Sequence, residues 1–157
     1  MRTVREAIAP GLDPANLVFE ITETAAVTNL AEARAFAGEL TGLGCDLAID
    51  DFGTGFASFT YLKHLPARYV KIDMEFIKDL ASSETDQHVV SSIVDVTRSL
   101  GKRTIAEGVE DAATLAVVRE LGVDFAQGYH TGRPRRLSPP TEFEQRSAEP
   151  VAAAPIG

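Results

Sequence analysis

Short apolar runs alternating with stretches of helical periodicity constrain this chain more than any other feature. The runs lie at residues 17–21, 47–50, 69–73, 102–106 and 123–126. Between them, apolar residues recur at i, i+3 and i+4. Leu30, Ala33, Phe36, Ala37, Leu40 and Leu43 make one such stripe, and Asn29 with Glu32 has the spacing of a capping box at its start. Val89, Val90, Ile93, Val94 and either Val96 or Leu100 make a second over 85–100, and a third helix is expected over 111–121. Glycines 42, 44, 101 and 122 stand where these helices should stop. Residues 1–9 read as the last turns of a further helix, and 58–64 as a short one stopped by Pro66. Such alternation implies an α/β fold with parallel strands joined by right-handed crossovers.

Every expected strand carries or ends in a polar group: Glu20, Asp50 with Asp51, Lys71, Glu107 and Gln127. The adjacent aspartates stand out, because side chains of a strand alternate between faces and both cannot follow that pattern. At least one sits where the strand gives way to a loop, and Gly53 and Gly55 let that loop approach a ligand closely. Each residue alone has a plainer reading: an acidic turn, a snorkelling lysine, a helix-start glutamate. Five together on one rim of a parallel sheet, where barrel active sites form, are a candidate site. Carboxylates without histidine or cysteine among them suit hard cations, Mg²⁺ or Mn²⁺. Several sharing ligands would suit two ions a few Å apart and in-line attack on a phosphodiester, with Lys71 neutralising charge or orienting water. His64, His88 and His130 lack metal-ligand spacing, and Arg133, Arg135 and Arg136 read as a solvated stretch.

The net charge of −8, from 23 acids against 15 bases, argues against a DNA, RNA or anionic-membrane surface. No run is long and apolar enough for a membrane segment, and the one cysteine, Cys45, cannot form an internal disulfide, so a cytoplasmic protein is expected. Residues 137–157, with Pro139, Pro140 and an Ala-rich end, read as a disordered tail following a domain over 1–136.

Five motifs in order, FEITET at 19–24, AIDDFGTGFASFTYL at 48–62, VKID at 70–73, AEGVE at 106–110 and DFAQGY at 124–129, make the chain resemble the C-terminal portion of the EAL domain, a bacterial cyclic di-GMP phosphodiesterase. The resemblance implies a partial TIM-type (β/α) barrel of about five parallel strands and a metal-dependent hydrolase that converts cyclic di-GMP to pGpG. It assigns Glu20 and Asp50 to one metal, with Asp50 bridging, and Asp51 and Glu107 to the second. Lys71 would contact the attacking water and Gln127 would help order water or substrate. Glu110 would hold the DDFGTG loop in place, and loop 51–61 would lie near a homodimer interface.

The Glu-Ala-Leu signature and the asparagine of the following strand, both metal ligands in the family, do not occur in the sequence and would belong upstream of Met1. The resemblance therefore implies that the N-terminal strands are missing, with weak metal binding and little hydrolysis by these 157 residues alone. The alternative is a non-catalytic module that senses cyclic di-GMP or binds a protein partner.

Overall fold

The computed structural model describes residues 13–54 and 59–134, together with the backbone of 154–155. Five parallel strands form one sheet in chain order: β1 (Val18–Thr22), β2 (Asp46–Phe52), β3 (Tyr69–Ile72), β4 (Arg103–Ala106) and β5 (Phe125–Ala126). The helices are α1 (Glu23–Thr28), α2 (Leu30–Gly42), α3 (Met74–Ile77), α4 (Glu84–Ser99) and α5 (Ala112–Glu120). The α/β alternation read from the sequence is present. The expected helix over 1–9 lies outside the described residues, as does most of the expected tail. Within that tail, Ala154–Pro155 forms a two-residue strand, β6, antiparallel to β5.

Continuous burial of Leu47, Ala48 and Ile49 follows from the central position of β2, which is covered on both faces. At the sheet edge, β1 instead alternates in exposure, and Val18 is open to solvent. The stripes on α2 and α4 meet the sheet as their periodicity requires. Ala37 and Leu40 are fully buried from α2, and Val90, Ile93 and Val94 from α4. Each Leu, Ile or Val so placed contributes about 1.5–3 kcal/mol of transfer free energy. Asn29 caps α2 by accepting from the Glu32 amide at 3.2 Å and donating to the Glu32 carboxylate at 2.8 Å, so the expected capping pair forms.

Two helices lie beyond what the sequence periodicity predicts. Thr22 caps α1 by accepting the Ala25 amide, and Asp73 caps α3 by accepting the Glu75 amide. Residues 59–63 form a 3-10 turn rather than an α-helix. At the N-terminal ends of the strands, Lys102 Nζ donates to the carbonyls of Leu65 and Ala67, each at 2.8 Å. Beside it, Asp124 accepts from the Thr104 amide at 2.8 Å and hydroxyl at 3.1 Å. These contacts fix the strands at the end opposite the polar rim.

Candidate functional site

The problem of two adjacent aspartates is solved by a bulge. In the β2–β3 ladder Ile49 pairs with Val70 but Phe52 pairs with Ile72, so β2 carries one extra residue between those points. Asp51 takes up the difference with a φ of 55°, a left-handed value unusual outside glycine. Both carboxylates consequently reach one place. One oxygen from each of Asp50, Asp51 and Glu107 lies within 4.8 Å of the others, a grouping able to hold a metal ion.

Lys71 stands among these acids. Its side chain is only 5% exposed, and Nζ lies 2.7 Å from Asp50, 2.8 Å from Glu107 and 2.9 Å from Glu20. An ammonium has three N–H bonds, and three carboxylates occupy them, Glu20 on β1, Asp50 on β2 and Glu107 just past the end of β4. Burial works against the charge, but the bonds to Asp50, Glu107 and Glu20 outweigh it and raise the Lys71 pKa above its ordinary value. Lys71 is thus no snorkelling side chain. The Glu107 carboxyl is pushed up by burial, against the pull of Lys71. Asp51 is also raised, by burial and then by the charges of Asp50 and Asp73, with Lys71 opposing. An acid whose ionisation is held back this way gains from a cation placed against it. Three oxygen donors at such spacing, with surplus negative charge, fit a hard divalent ion.

Glu20 reaches Lys71 but is not one of the three clustered acids, and its side chain is 46% exposed. Gln127 is tied in through its backbone. Its amide donates to the Ala106 carbonyl at 2.8 Å, and its carbonyl accepts from the Val109 amide at 3.0 Å. That places Gln127 beside the Glu107 loop on the same rim.

Glu110, expected to hold the DDFGTG loop, is exposed. An acid bonded to that loop is Glu23, 2% exposed, whose Oε2 accepts the Gly53 amide at 2.9 Å. Glu23 opens α1 directly after β1, which turns it inward, whereas Glu110 follows a glycine turn out to solvent. Tyr61 is buried next to Glu23, and burial together with the neighbouring carboxylate raises its phenol pKa. The signal in the sequence is Thr22 followed by Glu23, a helix cap and a first-turn acid. Asp73, whose charge reaches Asp51, is a further residue that sequence reasoning misses, though it stands at a strand end like the others.

A family model described as the EAL domain matches residues 1–134. The cyclic di-GMP phosphodiesterase PdeB of Shewanella oneidensis is 46% identical over 132 residues, which are 83% of this chain and 15% of that protein. Cyclic di-GMP phosphodiesterase PdeF of Escherichia coli is 42% identical over 77% of this chain and 16% of its own length. Among solved structures, one described as PaMucR phosphodiesterase in complex with c-di-GMP superposes with a TM-score of 0.81 at 38% identity. It covers 90% of this chain and 57% of that one. Klebsiella pneumoniae BlrP1, described as a manganese and cyclic di-GMP complex, gives a TM-score of 0.75 at 32% identity, covering 82% of this chain and 33% of that one. The chain therefore spans about a sixth of the length of the curated relatives it matches.

Proposed function

This chain belongs to the EAL domain family, and on that premise we propose that it forms part of a cyclic di-GMP phosphodiesterase that yields pGpG. The observation that carries the reading is the convergence of Glu20, Asp50 and Glu107 on the Lys71 ammonium, with Asp51 completing the acid cluster. Asp50, Asp51 and Glu107 would hold a divalent cation, with Glu20 beside them, and Mg²⁺ or Mn²⁺ is the ion we propose. Such an ion supplies Lewis acidity and offsets the charge of a phosphodiester brought to these acids.

The chain's own residues then have separable tasks. Because all three Lys71 N–H bonds are occupied, Lys71 can reach a water only by releasing a carboxylate. Glu20 is the partner best placed to go, being the most exposed of the three. A freed N–H at Nζ then orients water toward the scissile phosphorus. The Gln127 amide, beside the Glu107 loop, would order water or substrate on the same rim. Loop 51–61 is proposed as a homodimer contact; residues 55–58 of it lie outside the described ones. Among the described residues no helix is long and apolar enough to cross a membrane, and the cytoplasm is the proposed location.

The Glu-Ala-Leu triplet does not occur in these 157 residues, so the proposal includes weak cation binding and slow turnover by this polypeptide alone. The experiment is a chromatographic assay for pGpG with Mn²⁺, on the 157-residue chain alone and joined to a relative's Glu-Ala-Leu segment. Turnover only in the joined form supports the proposal. Rapid turnover by the short chain overturns its claim of an incomplete ligand set. Cyclic di-GMP binding without cleavage in either form favours a sensing module instead.

A further inference from the structure

We propose that helix α3 is the spacer that sets how far apart Asp51 and Glu107 stand, and thereby the affinity of the site for a cation. This rests on the cation-site reading above. Asp51 lies on β2 and Glu107 directly follows β4, and these strands are not neighbours; β3 lies between them. Two strand spacings put their backbones about 9–10 Å apart, yet ligand atoms of Asp51 and Glu107 come within 4.8 Å. The acids must therefore converge over the end of β3, where the chain passes directly into α3.

Both acid-bearing loops rest on that corner. On one side the Asp73 amide donates to the Phe52 carbonyl at 3.3 Å, and on the other the Glu107 amide donates to the Ile72 carbonyl at 3.1 Å. Just beyond these bonds each loop has a glycine against α3. A Cβ at Gly53 would lie 2.8 Å from Phe76 Cε2, and one at Gly108 would lie 2.8 Å from Met74 Cβ. Both glycines also have positive φ, +105° and +68°. Turn formation alone does not require such contact: Gly101, at φ +70°, has nothing within 4 Å of its would-be Cβ. The two loops are thus closed onto opposite sides of one short helix, and the bulk of Phe76 and the Met74 Cβ fixes the gap between them.

The test uses the full chain, with Mn²⁺ as the probe and free Mn²⁺ read by electron paramagnetic resonance, well below the melting temperature. Phe76→Ala takes away one side of the spacer, and Gly108→Ala forces the other loop outward. Each should weaken Mn²⁺ binding about tenfold, the scale on which supports of metal ligands act, while far-UV circular dichroism stays that of the parent. Phe76→Leu, which keeps bulk against Gly53, should restore most of the affinity. If Phe76→Ala fails to fold, Gly108→Ala decides alone. Unchanged Mn²⁺ affinity in a folded variant overturns the spacer and leaves the cation site standing. No Mn²⁺ binding by the parent chain overturns both.

Discussion

The Glu23 carboxylate and the Gly53 amide, thirty positions apart, are joined by a hydrogen bond of 2.9 Å. Glu23 is buried, so the bond is made away from competing water, and it holds the loop that leaves β2 two residues beyond Asp51. Glu23→Ala should cost about 1.5–3 kcal/mol, the range for a hydrogen bond to a charged group. It should also reduce Mn²⁺ affinity although Glu23 itself is not one of the clustered acids. Thermal melts and Mn²⁺ titration check the two effects separately. A stability loss with unchanged affinity would make Glu23 a fold residue only.

Lys71→Met removes the cation that three carboxylates share. Breaking a fully buried pair costs about 3–5 kcal/mol, but Glu20, Asp50 and Glu107 keep 46%, 23% and 19% side-chain exposure, so solvent screens part of the loss. A smaller destabilisation is expected, on the order of 2 kcal/mol. Saturating Mn²⁺ should raise the melting temperature of the variant more than that of the parent, since the ion replaces the lost positive charge. Equal shifts would show that Lys71 and the ion do not share ligands.

Lys102 gives a pH dependence of the opposite sign to that of Lys71. Burial lowers the Lys102 pKa below its ordinary 10.5, so the unfolded chain binds the proton more tightly than the native one. Its contribution to stability therefore rises with pH from the lowered native value up to 10.5 and is flat above. Lys71, raised in the native state, contributes fully below 10.5 and loses that contribution as pH climbs through its raised value. Urea melts from pH 7 to about 10 should show a rising component that Lys102→Met abolishes. The same substitution leaves the Leu65 and Ala67 carbonyls without their donor, which should cost about 1–3 kcal/mol at neutral pH.

Thr97 presents a buried hydroxyl to the apolar face of α4, and its Oγ1 has no hydrogen-bond partner among the described residues. Thr97→Val keeps the shape and removes the unsatisfied group. An increase of about 1 kcal/mol in unfolding free energy is expected, measurable as a higher denaturation midpoint with unchanged slope. A decrease would mean that the hydroxyl has a partner after all, such as a bound water.

Long elements are legible in the sequence because their periodicity repeats often enough to be seen. The stripe of α2, the Val-rich face of α4 and the run Leu47-Ala48-Ile49 each take the burial their pattern implies. The polar strand ends are legible too, since a lysine or glutamate inside an apolar run asks for a partner, and Lys71 finds three. Helices of four and six residues are not: α3 and α1 are too short for a stripe to declare itself. The bond from Glu23 to Gly53 is not legible either, because whether an acid turns inward depends on chain direction after the strand. Nor does composition foretell a bulge, though the pair Asp50-Asp51 marks the one place where plain alternation has to fail.

That irregularity makes β2 sensitive to counting. Between Ile49 and Phe52 the strand carries an odd number of steps where its neighbour β3 carries an even one, from Val70 to Ile72. Deleting either aspartate would even out the count and give a flatter, more regular ladder. The regular ladder would be the damaging one: the remaining carboxylate and Phe52 could no longer both keep their present sides. The rim of this sheet therefore depends on the length of β2 as well as on the identity of its acids, since one residue fewer would misplace carboxylates that a substitution elsewhere in the strand would leave where they are.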